Sequence, residues 1–144
     1  MNASDLVVVD TMVVSAMVNA HRDPVTAAGY RRLIDGHSVV IFYATVTEMR
    51  YGALKAGWGE LRRRGLERTL SRLVVVQPDD DLMTVCAELR DRCERRGDAL
   101  GQKIHDADRW IAASALHLGV DLVSDDSVFQ NIDGLTVLSR PPSM

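Results

Sequence analysis

The stretch DADRWIAASALHLGVDLVSDD, residues 106–126, decides the fold. Ile111, Ala112, Ala115 and Leu118 recur at helical spacing, Gly119 supplies a C-terminal stop, and a strand is predicted at 121–123. A helix that feeds a short apolar strand is one unit of an α/β alternation, and the same alternation runs outward through the whole chain. Leu6–Val9 is a short Val-rich strand ending at Asp10, and Thr11–Val18 continues as a helix. Pro24 fits a first helical position, Tyr30, Leu33 and Ile34 give helical spacing, and Gly36 fits the stop. Ser38–Phe42 reads as a strand, residues 45 to about 55 as a helix beginning at Thr45, and residues 61–73 as a helix with its Arg residues outward. The apolar run 73–76, bounded by Gln77-Pro78, reads as a strand covered on both faces. Residues 79–96 carry Leu82, Val85, Cys86, Leu89 and Cys93 on one helical face, 97–101 read as a loop, and 135–138 as a last strand. Strands separated by helices throughout specify an α/β domain with a mostly parallel sheet and helices on both faces.

A chain of 144 residues is the length of one domain. With 47% hydrophobic and 26% charged residues, collagen-like, mucin-like and wholly disordered chains are excluded. A domain of this size buries about two-thirds of its unfolded surface, so no disulfide or structural metal is needed for folding. Cys86 and Cys93 share a helix face at a spacing that disulfide geometry does not allow, and without a second pair they give no zinc spacing. Reduced core thiols are expected. The apolar runs fall far below the ~20 residues of a membrane-spanning helix. Asp5 before a short apolar run is not the start of a signal peptide, so a cytoplasmic protein with no membrane partner is expected.

The net charge is −3, yet fifteen of the seventeen basic residues are Arg. Guanidinium forks fit phosphate, so Arg62, Arg63, Arg64, Arg68 and Arg72, with Arg90, Arg92, Arg95 and Arg96, are candidate phosphate contacts. The plainer reading is a set of solvated outer helix faces.

In open parallel sheets the site forms outside the carboxyl ends of the strands, where strand order reverses. Four carboxylates can meet there: Asp10, Glu48, Asp108 and Asp126. Each also has a structural explanation. Asp10 suits a turn or helix N-cap. Thr45-Val46-Thr47-Glu48 matches a capping box, in which Glu48 reaches back to a backbone N–H. Asp106 and Asp108 point about 200° apart around a helix, so only one faces inward. Asp108 shares the face of Ile111, Ala112 and Ala115, and Asp106 is better placed as the N-cap. Asp125 and Asp126 leave their strand in opposite directions, and local chemistry does not choose between them. Carboxylates gathered in one cleft repel, a conflict that a divalent metal resolves; all-oxygen ligands favour Mg²⁺ or Mn²⁺ over zinc.

At these residues the sequence resembles the PIN-domain ribonucleases, most closely the VapC toxins of bacterial toxin–antitoxin pairs. The resemblance is carried by Val7-Val8-Val9-Asp10-Thr11, by the segment from Ala44 through Glu48 to Gly52, by His105-Asp106-Ala107-Asp108-Arg109-Trp110-Ile111-Ala112-Ala113, and by Leu122-Val123-Ser124-Asp125-Asp126 with Phe129. It implies a three-layer α/β/α sandwich around a sheet of four or five strands, a PIN domain over 1–139 and a loose tail at 140–144. It implies Asp10 and Asp108 as the principal ligands of Mg²⁺, with Mn²⁺ as the alternative, and Glu48 and Asp126 acting directly or through water. Thr11 and Ser124 are then polar support and Asp106 an accessory acid. The resemblance selects Asp126 over Asp125. Met12 stands where the family often has Asn or Ser. The implied activity is endonucleolytic cleavage of a structured cellular RNA to 3′-hydroxyl and 5′-phosphate ends, by a homodimer inhibited in a heteromeric complex with a cognate VapB-type antitoxin.

Two other readings compete. A catalytically silent PIN-like module would bind RNA or protein, against which stands the intact acidic quartet. An aspartyl-phosphate phosphatase would use Asp10 as nucleophile, but Met12 occupies the position of the second Asp such enzymes require. Trp110 and Tyr51 can stack on an RNA base, but aromatics on amphipathic helices serve more often as core, and both are left out of the site.

Overall fold

The computed structural model describes residues 5–142. Strands β1 (Leu6–Val9), β2 (Ser38–Phe42), β3 (Val74–Val76), β4 (Leu122–Val123) and β5 (Val137–Leu138) alternate with helices α1 (Thr11–Val18), α2 (Pro24–Ile34), α3 (Tyr43–Lys55), α4 (Glu60–Ser71), α5 (Asp80–Arg96) and α6 (Asp106–Leu118). Short 3-10 turns at Ala99–Gly101 and Lys103–His105 lead into α6. The sheet has the order β3-β2-β1-β4-β5, and every pairing is parallel. The chain therefore winds outward from β1 to β3, crosses back, and winds outward again through β4 and β5. Strand order reverses between β1 and β4, which opens a crevice at their carboxyl ends.

The pleat divides the core in two. Val8, Val40 and Phe42 face one side and pack on Leu82, Leu89, Ile111 and Ala112 of α5 and α6. Val7, Val9, Val39 and Ile41 face the other and pack on Val13, Tyr30, Met49 and Leu66 of α1 to α4. Helices on both faces of one parallel sheet make a three-layer α/β/α sandwich.

Several local expectations need correction. β3 is an edge strand, with Val74 43% and Val75 41% exposed, rather than covered on both faces. A run of three valines carries no information about which strand lies at the sheet's margin. The last strand is shorter than 135–138, and the segment 97–101 contains a 3-10 turn, held close by Gly101, where a Cβ would meet the Glu94 backbone nitrogen at 2.8 Å. Cys86 and Cys93 are free and buried, and burial pushes both thiols up. Of the arginines, Arg64, Arg90 and Arg95 form ion pairs within their own helices, to Glu60, Glu94 and Asp91. Arg140, where the loose tail was expected to begin, donates its backbone N–H (2.8 Å) and Nε (2.6 Å) to Asp125. Residues 143 and 144 of that tail, like residues 1–4 of the domain, lie outside the described residues. No described helix is long and apolar enough to cross a membrane.

Candidate active site

β1 delivers Asp10 to the crevice, where the residue is only 4% exposed. Its Oδ1 accepts the Val13 N–H at 3.0 Å and caps α1. Its Oδ2 accepts a hydrogen bond from the Ser124 hydroxyl, which follows β4 across the crevice. Cap and site residue are thus one carboxylate, with an oxygen for each task. The Ser124 Oγ, fully buried, in turn accepts the Asp126 N–H at 3.0 Å, and Asp126 Oδ1 accepts the Val128 N–H at 3.0 Å. Asp10, Ser124 and Asp126 therefore form one network bridging the ends of β1 and β4.

Burial pushes the Asp10 carboxyl above its ordinary value. The Ser124 and Val13 hydrogen bonds pull it back, while the Asp126 and Asp108 carboxylates push it further up. Three acids thus repel one another across the crevice. Asp108 stands half-buried in the first turn of α6, its Oδ2 2.9 Å from His105 Nδ1. Sequence reasoning gave His105 no role, although the three-residue spacing to Asp108 was its signal.

Asp106 is not the N-cap. That position is taken by His105; Asp106 opens the helix and its Oδ1 accepts from Arg109 at 2.9 Å. Arg109 went unnoticed in the sequence because arginine is rarely buried. It is 1% exposed, and its other amino group donates to the carbonyls of Leu100 and Gln102, tying the 3-10 turns to α6.

The tertiary structure also separates Asp125 from Asp126. Asp125 accepts from Arg140 and from the Tyr30 hydroxyl at 2.9 Å. Burial raises the Asp125 carboxyl, but these donors more than offset it, so it titrates below the ordinary range. Asp125 is spent on a clamp between the C-terminal strand and α2, and Asp126 is the one joined to Asp10.

Glu48 is not part of a capping box. α3 begins at Tyr43, so Thr45 lies within it, buried, with its hydroxyl 3.0 Å from that of Thr11. This contact ties α1 to α3. Glu48 is exposed and shares with Thr11 the lining of a cavity of about 310 Å³. Met12 lines the same cavity. Trp110 stacks on Phe42, ring centroids 5.1 Å apart, and packs against the core.

Among the described residues, no three His, Cys, Asp or Glu side chains are grouped closely enough to hold one metal ion between them. A cage made wholly of protein ligands is therefore not built here. The donor set nevertheless suits a hard cation: carboxylate oxygens, with the Asp10 carboxyl raised by burial and further by two acidic neighbours. Mg²⁺ asks for only one or two carboxylates and keeps several waters.

Among solved structures of similar fold are VapBC2 from Rickettsia felis bound to a DNA fragment from its promoter, at 22% identity and TM-score 0.76, covering 94% of this chain and 99% of that one. FitAcB from Neisseria gonorrhoeae aligns at 22% identity and TM-score 0.70, covering 91% and 95%. VapBC-5 from Mycobacterium tuberculosis aligns at 25% identity and TM-score 0.64, covering 94% and 98%. No curated protein matches the chain. The PIN domain family matches over residues 7–135, which includes both strand ends that build the crevice and all four candidate acids. By that match, the chain belongs to the PIN domain family.

Proposed function

We propose that the chain is a metal-dependent endoribonuclease and the toxin of a VapBC-type pair. PIN domains are typically nucleases, and the observation that carries the reading is the Asp10–Ser124–Asp126 network at the β1/β4 crevice with Asp108 near it, Asp10 being pushed up by burial and further by these two acidic neighbours. In this reading Asp10 and Asp108 hold Mg²⁺, with Mn²⁺ as the alternative, and Asp126 and Glu48 act directly or through water. A cation held there would supply charge neutralisation at the phosphate and would lower the pKa of a water so that it is available as hydroxide, the carboxylates taking up the proton released. Ser124 fixes the Asp10 carboxylate through Oδ2 and, through the Asp126 N–H, the turn that carries the third acid. His105 orients Asp108. The Thr11–Thr45 contact ties α1, which Asp10 caps, to α3, which carries Glu48.

The similar structures named as VapBC and FitAB complexes support an antitoxin partner and dimeric assembly. A crevice of unneutralised carboxylates attracts an inserted Arg or Lys from such a partner.

The test is cleavage of total cellular RNA by the purified protein with Mg²⁺ or EDTA, beside Asp108→Asn, with fragment ends mapped. Discrete metal-dependent cuts with 3′-hydroxyl and 5′-phosphate ends, lost in the variant, are expected. A 2′,3′-cyclic phosphate product, or cuts that persist in EDTA, would overturn the mechanism.

A further inference from the structure

Beyond Thr11 and Glu48, the residues that line the cavity beside α1 and α3 have no part in the proposed cleavage. Its volume is about 310 Å³, at the lower end of the range for small-molecule sites, roughly 300–1,000 Å³. Thr11, the residue that follows Asp10, and Glu48 line it together with Ser15, Asn19, Gly52 and Trp58. Its polar groups are therefore two hydroxyls, a carboxylate and an amide, set beside an aromatic ring. The amide is held in place: Asn19 Nδ2 donates to the Ser15 carbonyl at 2.9 Å, and Oδ1 accepts from Arg62 at 3.3 Å. The Arg62 guanidinium lies 3.8 Å over the Trp58 ring, which places a cation at the rim. On the α3 side, a Cβ built on Gly52 meets nothing within 4 Å, so this helix turns a bare position toward open space. No buried side-chain polar atom among the described residues lacks a partner, so the cavity does not serve an internal need.

We propose that this cavity is a nucleobase subsite, which receives one unpaired base of the RNA next to the phosphate held at the Asp10 cluster. The proposal rests on the ribonuclease reading and extends it to substrate selection. The base lies against the Trp58 wall, Ser15 and Glu48 hydrogen-bond to its edge, and Arg62 meets the adjoining backbone phosphate. Sequence-specific RNA recognition works in this way, by splaying out an unpaired base onto an aromatic or guanidinium plane and reading its edges. Adjacency to Asp10 through Thr11, and the Arg62 cation held beside Trp58 and Asn19, favour a nucleotide over a peptide side chain.

The test uses a single-stranded RNA that contains one mapped cleavage site, and two versions with an abasic ribose on either side of the cut. Cleavage is measured in Mg²⁺, and binding by fluorescence anisotropy of labelled RNA in EDTA. The variant is Gly52→Leu, which projects a side chain into the cavity and replaces Gly by a better helix former. The wild type is expected to bind and cut one abasic RNA about tenfold less well than the intact one, the scale of a lost base stack. Gly52→Leu is expected to treat the intact RNA as the wild type treats the abasic one, with no remaining difference between them. A wild type indifferent to both abasic positions overturns the subsite. So does a Gly52→Leu variant that discriminates as the wild type does. In either case metal-dependent cleavage persists, the ribonuclease reading stands, and the cavity passes to a protein partner. Failure of the wild type to bind or cut any RNA overturns that reading and the subsite with it.

Discussion

Replacing Ser124 by Ala tests the network that joins the two strand ends. The hydroxyl is fully buried, donates to Asp10 Oδ2 and accepts the Asp126 N–H. A hydrogen bond to a charged group contributes about 1.5–3 kcal/mol, and a buried N–H left without a partner costs about 1–3 kcal/mol. The two losses share one atom and overlap, so a total near the lower end of their sum, about 3 kcal/mol, is expected at neutral pH. For a domain of this length that lowers Tm by roughly 10 °C. The effect has a pH signature. Because the Asp10 pKa is raised in the folded state, ionising this carboxyl destabilises the fold, a cost that is absent below the unfolded pKa and complete above the folded one. The Ser124 bond reduces that cost by favouring the ionised form. Its removal is therefore felt most above the folded pKa of Asp10 and shrinks as the pH falls through it. Urea denaturation followed by circular dichroism, in EDTA, at pH 7.5 and at pH 4, measures both effects. A destabilisation under about 1 kcal/mol at neutral pH, or one equal at the two pH values, would refute the reasoning. In an Asp10→Asn background the cost of Ser124→Ala should fall by about half, because its charge-dependent part is gone.

Mg²⁺ should raise the thermal stability of the wild type by relieving the Asp10–Asp108–Asp126 repulsion, by about 2.7 kcal/mol at a hundredfold excess over Kd; calorimetry showing the same gain in Asp108→Asn would exclude that residue as a ligand. Arg109→Met takes the donor from the Leu100 and Gln102 carbonyls and should cost about 2–4 kcal/mol in equilibrium unfolding, chiefly for those two acceptors, since Asp106 is largely exposed. A near-neutral result would show that methionine packing replaces the polar contacts. His105→Ala should weaken Mn²⁺ binding by roughly tenfold in titration calorimetry while leaving the fold intact, as expected for a group that orients a ligand. Tyr30→Phe removes one donor from Asp125 and should cost about 1 kcal/mol without changing RNA cleavage, since Asp125 stands outside the network.

What could be read early was what local periodicity controls. Apolar spacing at 3.6 residues located the helices, short Val runs located β1 and β2, and Gly119, in the left-handed conformation, closed α6 where the pattern stopped. Boundaries failed where a side chain offered two local roles. Thr45 and Asp106 both look like caps, and neither caps, because the helices begin where β2 and the 3-10 turn hand over the chain. β3 failed for a different reason: hydrophobicity reports a tendency to be covered, and only sheet order decides which strand receives a neighbour.

The same division holds at the candidate site. The sequence by itself determined the α/β alternation and the positions of Asp10 and Asp126 at strand ends, because each depends on residues within one element. Local chemistry left Asp125 and Asp126 open and the family resemblance selected Asp126; the tertiary structure supplies the physical reason, with Ser124 joining Asp126 to Asp10 across the crevice while Arg140 and Tyr30 engage Asp125 on the other side. Only it gave Glu48 to a cavity rather than a cap, and buried Arg109 under the turn before α6. Apart from the local Asp126–Ser124 bond, these contacts join residues from 9 to 114 positions apart, and their energies depend on burial and on facing charges that no single segment contains.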